Sequence, residues 1–255
     1  MDFEYICTLS DEEIKEFVHE LVEKLDLKKT DRVDLGYDNI EPYNGMIYPS
    51  MMVSNADSCF VIKNNEYLYK FFNFLKDKKI KTINEALNAV YSFINNYFGV
   101  DGNDEKKELL LNDSEASDIS VLEGQNAAMC TERAALAQNL FTVLGVESYF
   151  CVGTIRSLSE TGLHAFNVIN FNGYRLYDAA RQVPIYKGGK IDDYKFYMYP
   201  LEKEQFDKLL KSGESISIHD YVYVSRNGKN FPQVIGTRTY STGLNLNLVD
   251  EAKII

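Results

Sequence analysis

The sequence predicts an α+β fold in which helices come first and antiparallel strands follow. Apolar residues recur every three or four positions in several segments of the first 145 residues, which is the spacing of a helix buried on one side. Later in the chain they alternate with polar residues or run together over strand lengths, and two Asn-Gly pairs lie between such runs as hairpin turns do. Helices and strands that are segregated along a chain are typical of the α+β class. We therefore expect a mainly helical region over residues 1–100, an acidic connector over 101–123, and a region over 124–255 that holds the sheet.

The composition is that of a globular chain and narrows the choice of partners. Of the 255 residues, 45% are hydrophobic and 13% aromatic, unlike a disordered chain. The net charge of -11 argues against a general binder of nucleic acids or anionic membranes, because binding to either depends on clustered Lys and Arg. The sequence shows neither a signal peptide nor an apolar run of roughly 18 residues, so we expect a cytoplasmic protein. Four widely spaced cysteines without a CxxC pair predict free thiols in a reducing compartment.

The first helix is marked by its cap. Ser10 and Glu13 form a capping box ahead of an apolar stripe, and His19 is predicted to lie on the solvated side of the helix. The predicted stripe comprises Ile14, Phe17, Val18, Leu21 and Leu25. Residues 31–66 show no sustained period and predict an irregular, Tyr-rich connection with one short strand at Cys59–Ile62.

Two further helices complete the first region. Residues 67–76 are aromatic enough to predict a largely buried helix. Thr82 and Glu85 form a second capping box, which opens a helix that ends at Gly99. The acidic stretch 101–123 then predicts a linker or an exposed excursion.

The stretch Gly124–Cys130 and the helix after it organise the second half of the chain. The helix is predicted over residues 130–144, and Gly145 ends it. Its apolar stripe is predicted to comprise Leu136, Leu140, Val143 and Leu144. Cys130 therefore lies at a helix start, where unpaired N–H groups and the positive end of the helix dipole favour a thiolate.

Strand-like runs follow this helix. Residues 146–155 predict a strand, and the segments on either side of Asn172-Gly173 predict a β-hairpin. The hairpin carries His164 near its start and Asp178 near its end. Farther on, the pattern predicts a helix over 201–210, then a second hairpin whose strands cover 216–225 and 233–240 and whose turn covers 226–229.

The order of Cys on a helix, His on a strand and Asp on the next strand resembles the transglutaminase-like superfamily of papain-fold cysteine enzymes. The resemblance covers roughly residues 120–185 and includes the His-Ala-Phe opening of the hairpin and its Tyr-Asp end. It implies a papain-like core in which the nucleophile helix packs on an antiparallel sheet, within the region 124–255.

The resemblance also implies a chemistry. Cys130 would be the nucleophile of an acyl transfer through a thioester, His164 the general base and then acid, and Asp178 the orienting carboxylate. The oxyanion donor would be the side chain of Gln125, with Asn126 as the alternative. The expected substrate is a peptide or protein amide, with hydrolysis favoured as peptidase, amidase or deamidase. The alternatives are an amine-accepting transglutaminase and an inert module that binds proteins, and no cofactor is expected.

The length of the hairpin loop decides whether Asp178 and His164 lie on the same face of the sheet. A two-residue turn at Asn172-Gly173 would place Asp178 opposite Asn167, on the face that His164 does not use. A three-residue loop over residues 172–174 would place it opposite Val168, on the His164 face, and a bulge in either strand would do the same. We therefore predict such a loop, with Gly173 left-handed, or a bulge, and a distance of about 2.6–3.2 Å between the Asp178 carboxylate and a His164 ring nitrogen.

Other candidate residues are weaker. His219-Asp220 is a rival acid–base pair, on a strand whose Ser217, His219, Tyr221 and Tyr223 share one predicted face. Cys151 lies in the middle of an apolar strand and is predicted to be structural. Three scattered histidines offer no pair at zinc-ligand spacing, so no metal site is predicted.

Overall fold

The structure is a computed structural model, which describes residues 1–25, 41–47, 53–54, 59–62, 65–111, 117–158, 160–211 and 213–243. It is mixed α+β, with helices leading and strands following, as predicted. The chain divides into a first unit, Met1–Gly36 with Asn44–Ser148, and a second unit, Tyr37–Tyr43 with Tyr149–Ile255. The division falls inside a strand rather than at an end of the stretch 101–123, because the helix that begins at Cys130 packs with the helices of the first unit.

The first unit is helical with one small sheet. Its helices are α1 (Phe3–Ile6), α2 (Asp11–Lys24), α3 (Glu66–Asp77), α4 (Ile83–Phe98), α5 (Asp104–Leu110) and α6 (Cys130–Val143). Its strands are β1 (Val53–Ser54), β2 (Cys59–Val61) and β3 (Ser117–Asp118), which form one sheet in the order β1-β2-β3. Both predicted capping boxes are confirmed, at Ser10 with Glu13 and at Thr82 with Glu85. The short strand predicted at Cys59–Ile62 is also confirmed, whereas most of the connection 31–66 lies outside the described residues.

Helix α2 buries a narrower stripe than the sequence predicted. Only Ile14 and Val18 are fully buried, and the other apolar members of the stripe are half-buried. His19 is exposed, as predicted, and its Nε2 lies 3.3 Å from Glu23 one turn later.

The predicted connector 101–123 is largely exposed over residues 101–110 but contains regular structure. It contains α5, which Asn103 caps by accepting the Lys106 N–H at 2.8 Å. A 3₁₀ turn over Ile119–Leu122 follows β3. Leu111, Ile119 and Leu122 are all buried, and their burial stabilises the packing of the segments that carry them.

Helix α6 is buried on every side rather than along one stripe. Besides the predicted apolar residues, it buries Glu132, Arg133, Gln138 and Asn139. The amides of Gln138 and Asn139 have partners: the Gln138 amide donates to Gly45 O and Ser148 O at 3.0 and 3.1 Å, and Asn139 exchanges two hydrogen bonds with the Ile47 backbone. A polar residue is tolerated in a core when its hydrogen bonds are made there, and helical periodicity cannot reveal those partners.

The second unit is built around a six-stranded sheet with one helix. Its elements are β4 (Glu147–Arg156), β5 (Thr161–Asn170), β6 (Tyr174–Lys187), β7 (Lys190–Pro200), α7 (Lys203–Leu209), β8 (Ser215–Arg226) and β9 (Lys229–Thr242). The strand order is β5-β4-β9-β8-β6-β7, and an additional pairing of β5 with β6 closes the sheet into a barrel-like ring.

Strand β7 is absent from the sequence prediction. It pairs antiparallel with β6 through a turn at Gly188-Gly189, where both glycines have positive φ. Asp192, Asp193 and Lys195 make its first half look like a loop, and all three are exposed because that half covers no core. The sequence pattern fails here because strand patterns depend on burial of one face.

Candidate functional site

Cys130 is the first residue of α6, and the loop before it is held by the end of α4. The N–H groups of Gly124 and Asn126 donate to Tyr97 O and Phe98 O at 2.7 and 2.8 Å. The side chain of Cys130 is partly exposed. Because the first N–H groups of a helix lack partners within it, the start of α6 offers donors beside this thiol.

Arg133 fixes this loop from inside the first unit. Its side chain is buried and donates to Ala128 O at 3.0 Å, to Asn95 Oδ1 at 2.9 Å and to Gly99 O at 2.6 Å. Burial lowers the pKa of the guanidinium, and nearby acidic groups, Glu132 and Asp101 among them, oppose that shift. Arg133 therefore positions the backbone that leads to Cys130 and places a positive charge within its electrostatic range.

Glu132 is a buried carboxyl close to Cys130 that sequence reasoning missed. It is fully inaccessible, and its Oε2 accepts the Met129 N–H at 2.8 Å as a helix cap. Burial raises the pKa of this carboxyl, although Lys107 and the Met129 N–H act in the opposite direction. The Met-x-x-Glu spacing matches half of a capping box, but a methionine at the cap position gives no sequence signal.

The two candidate oxyanion donors differ in how they are held. Asn126 has φ +51, and its side chain lies directly over Gly99, where an added Cβ would come within 2.0 Å of Asn126 Oδ1. Gln125 is partly exposed, and only its backbone is pinned, by Lys106 Nζ at 2.6 Å from its carbonyl oxygen. The Asn126 amide therefore rests against Gly99, although Asn126 is the more exposed of the two residues.

His164 and Asp178 meet in the second unit, as the sequence predicted. His164 Nε2 lies 2.9 Å from Asp178 Oδ2, and both side chains are buried. The hairpin loop has the predicted three residues, but it covers residues 171–173 rather than 172–174, since Asn170 pairs with Tyr174. The difference moves the register by two, which preserves the face, so Asp178 still lies on the His164 side. Asn172, with φ +52, adopts the left-handed conformation, and Gly173 has φ +101.

Asp178 is a fully buried carboxylate with several hydrogen-bond donors. Besides His164, the Tyr240 hydroxyl donates to Oδ2 at 2.8 Å and the Ala180 N–H to Oδ1 at 3.2 Å. Burial by itself raises the pKa of this carboxyl, but the charge of His164, the His164 and Tyr240 hydrogen bonds and the charge of Arg238 outweigh it and hold the pKa below its usual range. Asp178 is therefore ionised at neutral pH, which is what an orienting carboxylate requires.

Aromatic rings fix the plane of the imidazole. The His164 ring is stacked beside Phe166 at a centroid distance of 6.3 Å and lies 5.9 Å from the Tyr240 ring. Tyr240 and Phe166 also pack edge to face at 5.0 Å. Tyr240 thus packs against the histidine and donates to its carboxylate, a role that no spacing in the sequence indicated.

The rival pair His219-Asp220 does not form a site. The two side chains point to opposite faces of β8, so that His219 is exposed and Asp220 is buried. Asp220 instead forms ion pairs with Arg181 and with Arg238, whose other nitrogen donates to Glu160 at 2.9 Å. Asp220 therefore neutralises one buried and one half-buried guanidinium group, and the buried one, Arg238, acts electrostatically on Asp178.

Loss of the Tyr240 hydroxyl tests whether its hydrogen bond stabilises the ionised Asp178 carboxylate. Tyr240→Phe should cost about 1.5–3 kcal/mol of unfolding free energy at neutral pH, because a hydrogen bond to a buried charge is lost. The folded pKa of Asp178 lies below its unfolded value, so its stabilisation is present above about pH 4 and is lost as the pH falls through the folded pKa. The difference between the two proteins, measured by urea unfolding, should therefore shrink below pH 4.

Tyr197→Phe is the matched control for that measurement. Tyr197 is equally buried in the same unit, but its hydroxyl donates to His219 O at 3.4 Å and not to a carboxylate. Its cost should not depend on pH in this range. A cost of Tyr240→Phe that stays constant from pH 7 to below pH 4 would contradict the assigned role of Tyr240.

Three further features of the described residues are the environment of Cys151, possible metal sites and possible membrane-spanning helices. Cys151 is buried, as predicted, and burial raises the pKa of its thiol well above the usual range. Among the described residues there is no cluster of His, Cys, Asp or Glu able to hold a metal ion. None of the helices in the described part of the chain combines the length and apolar character needed to cross a membrane.

Cys130, Gln125 and Asn126 belong to the first unit, whereas His164, Asp178 and Tyr240 belong to the second. His164, Asp178 and Tyr240 are buried, Cys130 and Gln125 are half-buried, and Asn126 is exposed. No protein-family model, curated protein or solved structure matches this chain.

Proposed function

We propose that this chain is a transglutaminase-like cysteine enzyme with a papain-like core, in which Cys130, His164 and Asp178 transfer an acyl group from an amide. The observation that carries the proposal is the buried His164–Asp178 pair at 2.9 Å, in which burial raises the pKa of Asp178 but its neighbours outweigh burial and lower it. An ionised carboxylate fully inside a core is costly, and a histidine–carboxylate pair held this way is typical of general-base sites.

The reaction assigns one role to each residue. His164 takes the proton of the Cys130 thiol, and the thiolate attacks the carbonyl carbon of a peptide or side-chain amide. The tetrahedral oxyanion accepts hydrogen bonds from the Cys130 N–H and the Gln125 side chain. Protonated His164 then gives its proton to the leaving amine, and a thioester remains on Cys130.

Asp178 and Tyr240 act through His164. The carboxylate fixes Nε2 of the imidazole in its protonated form and stabilises the imidazolium that forms in each half-reaction. Water is proposed as the acceptor that resolves the thioester, with His164 now as its base, so that the net reaction is hydrolysis. A primary amine in the same place would yield a cross-linked product instead.

An active ester tests the proposal without knowledge of the natural substrate. Mixed with p-nitrophenyl acetate, the protein should release p-nitrophenolate in a burst of one equivalent per chain and carry the acetyl group on Cys130. Cys130→Ser should abolish the burst. A thiol that acylates no faster than free cysteine would favour the inert, protein-binding module, and a faster turnover on addition of a primary amine would favour transamidation.

The oxyanion donor gives a further prediction. Gln125→Ala should lower the acylation rate roughly 10²-fold with little change in stability, since the donor acts only as charge develops on the carbonyl oxygen. Asn126→Ala should instead lower stability by about 1–2 kcal/mol, because alanine at a positive φ is strained. If Asn126→Ala loses the rate and Gln125→Ala retains it, the donor is Asn126.

A further inference from the structure

Two long hairpins of the second unit end side by side. One consists of β6 and β7, the other of β8 and β9. Strands β6 and β8 pair in parallel, with Ile185 opposite Tyr223 and Tyr186 opposite Val224. Because the two central strands run in the same direction, both hairpin turns lie at the same end of the sheet.

The strand registers assemble an apolar row near this end. Ile191 is opposite Tyr186, Tyr186 is opposite Val224, and Val224 is opposite Phe231. Residues paired in this way share a face, so the row crosses four strands on one side of the sheet. Its outer members are unusually accessible, with Ile191 at 47% and Phe231 at 50% exposure, and Tyr194 on β7 reaches 46%.

This apolar row lies where the two hairpins extend past the core. On β6 it lies on the side opposite Ile185, which is 4% exposed, whereas on β8 Val224 is half-buried and in line with the buried Val222. The exposed members of the row are on the outer strands, where residues 190–195 of β7 and 229–235 of β9 are all exposed. An exposed apolar patch rimmed by charged side chains is a candidate site for contact with a partner or a membrane.

Cations surround the row although the chain as a whole is strongly acidic. The two turns carry Lys187, Lys190, Arg226 and Lys229, and the nearby carboxylates are Asp192 and Asp193. Arg226, Lys229 and Phe231 line a shallow depression of about 380 Å³ together with Asn227. The net charge of -11 repels anionic surfaces in general, but this end of the sheet reverses the sign locally.

We propose that this hairpin-end face, formed by Tyr186, Ile191, Val224, Phe231 and the four turn cations, binds the surface of anionic phospholipid bilayers. Long cationic side chains reach phosphate groups while apolar side chains enter the interface beneath them. Two members of the row, Ile191 and Val224, are aliphatic and have no ring for stacking on nucleic-acid bases. This inference does not rest on the proposed enzymatic function.

The size of the face argues against a second copy of the chain as its occupant. Four strands spaced about 4.8 Å apart, over about four residues of about 3.3 Å, present roughly 250 Å². Two such faces would bury about 500 Å², well below the roughly 1,200 Å² of a stable interface. A bilayer requires no such minimum, because each cation near an anionic surface adds to the attraction.

Vesicle sedimentation with the full chain tests the proposal. The protein should sediment with vesicles of phosphatidylcholine containing roughly a third phosphatidylserine, less so with pure phosphatidylcholine, and less at high salt. Arg226→Glu with Lys229→Glu should weaken binding at least about tenfold, since each cation contributes on the order of fivefold. Phe231→Ser should weaken it independently of the charges.

Matched variants separate this surface from general effects. Lys208→Glu with Lys211→Glu makes the same charge change in the same unit at exposed positions outside the sheet, and it should leave binding intact. Leu109→Ser, at a residue 88% exposed in the first unit, is the control for Phe231→Ser. Circular dichroism confirms that each variant is folded.

Three results with the protein and its Phe231→Ser variant would overturn the inference, and one with the control variant would do the same. The three are equal binding to neutral and anionic vesicles, no binding to either, and self-association in sedimentation velocity that Phe231→Ser abolishes. The last result would assign the face to a second copy of this chain. Loss of binding in the Lys208 and Lys211 variant would likewise show that no particular surface is involved.

Discussion

His164→Ala should slow the alkylation of Cys130 by iodoacetamide about tenfold or more at pH 6.5. An ordinary thiol with a pKa near 8.5 is only about 1% ionised at that pH, whereas a thiolate paired with an imidazolium is largely ionised. A thiolate with a lowered pKa is intrinsically less nucleophilic, and this offsets part of the rate increase that its larger ionised fraction gives. We therefore expect a change in the alkylation rate of about tenfold as the lower limit. The rate of alkylation against pH, followed by mass spectrometry of the Cys130 peptide, measures the effect in both proteins.

Two other cysteines serve as references in the same experiment. Cys151 is buried and burial raises the pKa of its thiol, so it should stay unmodified in the folded protein. Cys7 is partly exposed at the end of α1, and its rate should be the same in both proteins. Superimposable profiles for Cys130 with and without His164 would refute the proposed ion pair, whatever the fate of the other thiols.

Asp178→Ala should lower the unfolding free energy by about 3–5 kcal/mol, which is the cost of removing one partner from a buried charged pair. The substitution leaves the Tyr240 hydroxyl and the His164 Nε2–H without their acceptor inside a core. Asp178→Asn keeps the volume and one acceptor oxygen, so we expect a smaller cost of about 1–3 kcal/mol. Urea unfolding at neutral pH measures both.

The two substitutions should nevertheless resemble each other in reactivity. An asparagine accepts from the imidazole but cannot stabilise its positive charge, so Cys130 acylation should fall by about 10²-fold or more in Asp178→Asn. The pH dependence has a definite sign: the extra stability of the wild type over Asp178→Asn is present above about pH 4 and is lost as the pH falls through the depressed pKa of Asp178. An Asp178→Asn protein with unchanged acylation would remove Asp178 from the proposed machinery.

Local chemistry made several elements predictable. Ser10 with Glu13 and Thr82 with Glu85 satisfy helix-start N–H groups within four residues of chain, so their capping boxes can be identified without knowledge of the fold. The pairing of His164 with Asp178 is also local, because one hairpin loop and strand alternation decide which side chains share a face. The one-residue misplacement of that loop shows the limit: Asn172, and not only Gly173, takes a left-handed conformation.

Contacts between distant segments decided the rest. The sequence by itself determined the α+β order of the chain, the capped helices, Cys130 at a helix start and the facing of His164 and Asp178. Only the tertiary structure placed Tyr240, 62 residues from Asp178, as the donor to its carboxylate, and Arg133 as the clamp on Gly99 O, 34 residues away. The parallel pairing of β6 with β8, which creates the hairpin-end face, likewise cannot be predicted from the sequence. The local sequence pattern around a residue reflects the burial and the backbone preference of that residue. The partner of a buried polar group, or of a strand edge, depends instead on which distant segments the fold brings together, and the local pattern does not contain that information.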